Sequence, residues 1–76
     1  MKTLVTYMAQ AMVDYPEKVR VNEINGGQTS ILEVRVARED IGKVIGREGK
    51  NAQAMRTIVS AVASKLHKKA VVEIID

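Results

Sequence analysis

Two glycines three residues apart, Gly46 and Gly49, interrupt a stretch that is helical in pattern on both sides. Upstream, Ile41, Val44 and Ile45 recur at three- and four-residue steps behind Glu39-Asp40, acids that suit the first turn of a helix. Downstream, Lys50 to Leu66 carries an apolar stripe of Met55, Ile58 or Val59, Val62 and Leu66, with Ala52, Ala54, Ala61 and Ala63 beside it. His67-Lys68-Lys69 then supplies cations where a helix end is negative. Glycine takes positive φ and lets other backbone come close. The pattern therefore predicts a short helix, a four-residue corner and a long helix, and any fold must accommodate that corner.

The rest of the chain supplies a sheet. Residues 2 to 14 read as an amphipathic helix, with Leu4 or Val5, Met8, Ala11 and Met12 on one stripe, ended by Asp14-Tyr15-Pro16. Residues 18 to 25 and 29 to 36 alternate apolar and polar around Asn25-Gly26-Gly27-Gln28, the signature of a β-hairpin. Ala70 to Ile75 is β-branched and reads as a last strand. The predicted order is α-β-β-α-α-β. An α+β fold with a three-stranded sheet and three helices on one face buries all the stripes. The 76 residues leave room for one domain, residues 1 to 76, without repeat or linker.

Several functions are set aside by what the chain lacks. It has no Cys, Phe or Trp and only two Tyr, which removes disulfides, thiolate metal sites and a Cys nucleophile and argues against modules that stack bases on aromatic platforms. No cofactor or metal ligand set is suggested, and His67, the only histidine, sits among lysines with no nucleophile for a partner. No enzyme is expected. The amino-terminal residues show no signal-peptide pattern and no apolar run reaches membrane-spanning length, so a cytoplasmic protein with no membrane partner is expected.

Charge is uneven along the chain. Between residues 41 and 69, Lys43, Arg47, Lys50, Arg56, Lys65, Lys68 and Lys69 face Glu48 alone, a net of +6, while the remainder nets −3. Such a segment reads either as a docking surface for a polyanion or as a solvated helix face. The glycine corner favours the polyanion. It leads into the long helix, whose first amides point outward unpaired and attract phosphate. Lys43, Arg47 and Lys50 stand within a few residues of it. The spacing fits neither a Walker A loop nor a dinucleotide fingerprint.

The stretch Ile41-Gly42-Lys43-Val44-Ile45-Gly46-Arg47-Glu48-Gly49 closely resembles the I-G-x-x-I-G-x-x-G signature of KH domains. The element order is similar to the bacterial type II KH fold, and Asp14-Tyr15-Pro16-Glu17-Lys18-Val19 and Val72-Glu73-Ile74-Ile75-Asp76 resemble small bacterial single-KH proteins of the KhpA-like family. The resemblance implies a GXXG loop, Gly46-Arg47-Glu48-Gly49, that clamps about four nucleotides of single-stranded RNA. It implies flanking contacts from Lys43, Lys50 and Asn51, and a groove bordered by Ile41, Val44 and Ala54 with Val36 on the opposite wall. Ile45 and Met55 are assigned to the core, and the Glu48 carboxylate is expected either to lower phosphate affinity or to turn away and pair with Arg47 or Lys50.

By the same resemblance, the expected role is that of an RNA chaperone or post-transcriptional regulator linked to cell elongation and division, hence to cell shape and cell wall organisation. The expected partners are single-stranded RNA and a second KH module, in a homodimer or a heterodimer with a larger KH-containing RNA-binding protein. The alternative is a protein-interaction scaffold with little RNA binding of its own.

Overall fold

The computed structural model describes residues 1–75; Asp76, the last residue of the resembling C-terminal stretch, lies outside the described residues. Helix α1 spans Lys2–Met12, strand β1 Arg20–Gly26 and strand β2 Thr29–Arg35. Helix α2 spans Ile41–Ile45, helix α3 Lys50–Lys65 and strand β3 Lys69–Ile75. Short 3-10 turns at Pro16–Lys18, Arg38–Asp40 and Arg47–Gly49 link them. The α-β-β-α-α-β order predicted from sequence is the order observed.

The sheet runs β1-β2-β3. The hairpin pairs β1 with β2 antiparallel, from Arg20↔Arg35 to Gly26↔Thr29. Its turn is Gly27-Gln28, and Gly27 takes φ +66°, a backbone that favours glycine. Strand β3 returns parallel to β2, from Thr29↔Lys69 to Arg35↔Ile75. A parallel neighbour requires a crossover, and α2, the corner and α3 provide it.

Alternation along the strands selects the covered face. Leu32, Val34 and Val72 are buried against Val5 and Ala9 of α1, Val44 of α2, and Met55 and Val59 of α3, while Ile24 and Val71 stay exposed on the other face. Met55 thus takes its expected core position. Elsewhere the choice of helical face differs in detail from the sequence reading. The buried stripe of α3 is Ala52, Met55, Val59 and Ala63. Ile58 and Leu66 point outward, because Val59 lies one helical step nearer the sheet and Leu66 falls beyond the last helical residue.

The two ends of α3 are built differently. At its C-terminal end, Leu66 caps the helix and His67 takes φ +57°. The His67 amide donates to the Ser64 carbonyl at 3.0 Å and the Lys68 amide to the Ala63 carbonyl at 2.9 Å. This is the hydrogen-bond pattern of a Schellman cap, in which a left-handed residue closes the helix. Glycine usually fills that position. Here it is the sole histidine, so His67 has a structural place at a helix end.

Candidate nucleic-acid interface

The corner predicted at Gly46–Gly49 forms between α2 and α3. The Gly46 amide closes α2 by donating to the Gly42 carbonyl at 2.8 Å, and the Gly49 amide donates back to the Gly46 carbonyl at 3.1 Å. Gly46 adopts φ +77°, ψ +173°, a region open essentially to glycine alone. A Cβ there would also lie 2.7 Å from Cγ of Asn51 and 2.9 Å from its backbone nitrogen. Gly49 takes φ +74° and directly precedes α3. Between them Glu48 holds φ +56°, ψ +25°, left-handed for a residue with a Cβ.

No side chain caps the N-terminus of α3. The Lys50 amide, the first of the helix, donates to the Arg47 carbonyl and closes the turn of the loop, and the positive end of the helix dipole stands behind this point. Arg47, Glu48, Lys50 and Asn51 are all exposed around this point. Of the two expectations for Glu48, the pairing is not observed: among the described residues its carboxylate forms no ion pair with Arg47 or Lys50. The Glu48 side chain is exposed, so its charge is met by water.

Lys43, expected to flank the loop, is ion-paired. Its Nζ lies 3.0 Å from Asp14 Oδ2 and 3.9 Å from Asp40 Oδ1. The hydrogen bond from Lys43 to Asp14 and the charge of that carboxylate, with a smaller contribution from Asp40, raise its pKa above the ordinary lysine range against a slight desolvation. Its ammonium is thus paired within the fold and ties α2 to the turn after α1, while the side chain remains half-exposed. Asp40, read as a first-turn acid, is wholly buried and accepts hydrogen bonds from the Asp14 and Tyr15 amides at 3.2 and 3.0 Å. Sequence reasoning missed this pairing because its partners are 25 and 26 residues away.

The expected groove residues divide. Ile41 and Val36 are half-buried and Ala54 is exposed beside the start of α3. Val44 is corrected: it is wholly buried and belongs to the core with Leu32 and Met55. Ile45 moves the other way, out of its expected core position to 40 % exposure directly before Gly46. A five-residue helix lying on a sheet buries one position in three or four, and Val44 takes it. The aliphatic surface next to the loop is therefore Ile41, Ile45 and Ala54, near the exposed Arg47 and Lys50. Such a surface can hold a phosphate while an apolar edge meets a sugar or base.

Among the described residues, no group of three His, Asp or Glu side chains is placed to hold a metal ion, and no helix is long and apolar enough to cross a membrane.

Comparison with known proteins places this geometry in a family. The family described as KhpA/KhpB, KH domain, matches residues 2–74. The chain is 55% identical to the RNA-binding protein KhpA of Clostridium perfringens over 75 residues, covering 99% of this chain and 100% of that protein. It is 45% identical to the RNA-binding protein KhpA of Halalkalibacterium halodurans over 76 residues, covering both chains fully. The RNA-binding protein KhpA of Aquifex aeolicus is 43% identical over 76 residues, with 100% of this chain and 96% of that protein covered. No solved structure gives a significant match. The family is a non-enzymatic one. With its full length matched, its element order reproduced and its glycine corner in place, the chain belongs to the KhpA/KhpB family of KH domains.

Proposed function

We propose that the protein binds single-stranded RNA, gripping the sugar-phosphate backbone with the Gly46–Gly49 loop and the start of α3. The observation that carries this reading is the uncapped N-terminus of α3 behind a loop of left-handed residues, with Arg47 and Lys50 exposed beside it. The positive end of the helix dipole and two exposed cations give a phosphate a favourable field and charge-assisted donors. The relatives named as RNA-binding proteins support the same ligand. The aliphatic border of Ile41, Ile45 and Ala54 suits contact with bases without aromatic stacking. One domain with a short loop implies modest affinity and broad sequence tolerance, as befits an RNA chaperone or post-transcriptional regulator acting in the cytoplasm. A link to cell elongation and division is part of this proposal.

A second reading is favoured by one further observation. Ala54, Ile58 and Ala61 form an exposed apolar strip along α3, and Ile58 is 47 % exposed. A domain this small gains stability by association. The strip would pack on a second copy or on a larger KH-containing RNA-binding protein, making the chain a pairing module.

The test is a titration of short, unstructured RNA at two salt concentrations, comparing the native chain with the folded double variant Arg47→Asp, Glu48→Asp. Binding that weakens with salt and falls at least about tenfold in the variant supports the loop's role. Equal binding by both proteins removes it. Absence of binding by the native chain leaves the pairing reading, which predicts association that survives the loss of loop charge.

A further inference from the structure

We infer that Asn51 is a positioning residue that fixes the shape of the Gly46–Gly49 loop before any ligand arrives, and is not itself an RNA contact. The inference rests on the proposal that this loop meets phosphate. Asn51 is the second residue of α3, exposed in a place where a polar side chain is ordinarily free to reach a ligand. Instead its Nδ2 donates to the Lys43 carbonyl at 2.8 Å, eight residues back and across the loop.

That carbonyl belongs to the last turn of α2, where helix carbonyls have no intrahelical partner. A helix of five residues has little stability of its own. Asn51 therefore joins the end of one helix to the start of the next and shortens the freedom of the four residues between them. The same side chain occupies the space into which a Cβ at Gly46 would project. Gly46 and Asn51 are thus two halves of one closure: the glycine makes room for the amide group that ties the loop down.

Lys43 anchors both sides of this tie. Its backbone carbonyl accepts from Asn51 while its ammonium is held by Asp14 and Asp40. The loop is fastened through Lys43 to the turn after α1. Rigid donors lose less freedom on binding, so the closure raises affinity without adding a contact to the ligand.

The test uses the whole chain with Asn51→Ala and Asn51→Asp, the latter matching the shape of the side chain but lacking the donor. In the free proteins, amide exchange at residues 46 to 50 should quicken about five- to tenfold in both variants, while Leu32 and Val72 in the sheet keep native protection. Affinity of Asn51→Ala for a short single-stranded RNA should fall about tenfold, with the slope of log affinity against log salt unchanged because no cation is lost. Unchanged loop exchange in the free variants overturns the inference, even if RNA binding weakens, since Asn51 then touches RNA directly. Quickened exchange with native affinity overturns it as well. If the native chain binds no RNA, the proposed function fails, and the exchange measurement alone decides whether Asn51 braces the loop.

Discussion

Helix α3 has a left-handed residue with a side chain near each end, Glu48 at φ +56° and His67 at φ +57°, and the two ends use it for opposite purposes. At the C-terminal end the backbone closes on itself: the His67 and Lys68 amides find the Ser64 and Ala63 carbonyls of the helix. At the N-terminal end the same conformation, flanked by Gly46 and Gly49, keeps the first amides of α3 clear of any side-chain cap. One unusual backbone state thus finishes a helix or opens one, according to which hydrogen bonds it completes. The glycines mark the difference. The open end needs three residues at positive φ within four positions, and two of them are glycine; the closed end needs one and tolerates histidine.

Three substitutions break or sharpen this contrast. The largest effect is expected at Gly46→Ala. The new Cβ enters a glycine-only backbone region and meets the Asn51 backbone nitrogen, which cannot swing aside. A loss of about 1–3 kcal/mol is expected in urea unfolding, with RNA affinity largely lost. An alanine variant of native stability and affinity would mean that the open end does not depend on its backbone. Glu48→Gly comes next and acts on the ligand. It removes the one negative charge of the loop and fits φ +56° freely, so RNA affinity should rise roughly two- to fivefold in a titration at low salt. Unchanged affinity would show that the carboxylate stands clear of the bound phosphates. The smallest effect is His67→Gly, which relieves the closed end. Thermal unfolding should show stabilisation by about 1 kcal/mol with RNA affinity unaltered. A variant that binds RNA more weakly would show that the closed end also meets the ligand.

Periodicity in the sequence revealed the element order, because stripes, alternation and turn residues report local geometry. The glycine corner was visible for the same reason: Gly46 and Gly49 sit where both flanking patterns stop. What periodicity could not resolve was rotation within one helical step. Val44 and Ile45 are adjacent and both aliphatic, and only the position of the sheet decides that Val44 is buried and Ile45 exposed. The same holds for Ile58 and Val59. The ion pair of Lys43 was hidden for a different reason: its partner Asp14 is distant in sequence and is brought to α2 only by the fold. Asn51 lay in the right place for RNA contact, but a hydrogen bond to a carbonyl eight residues earlier has no sequence signature.

The parallel pairing of β2 with β3 has a kinetic consequence. Every pair in its register, from Thr29↔Lys69 to Arg35↔Ile75, joins residues 40 positions apart, with α2, the loop and α3 strung between them. Closing so long a segment costs chain entropy that no local contact offsets, so this union belongs late in folding, after the hairpin and α3 have formed. The ties that shape the loop, Asn51 to the Lys43 carbonyl and the Lys43 ammonium to Asp14, lie outside this union. The corner between α2 and α3 can therefore take its form before the final strand docks, and the slow step completes the sheet beneath a loop already folded.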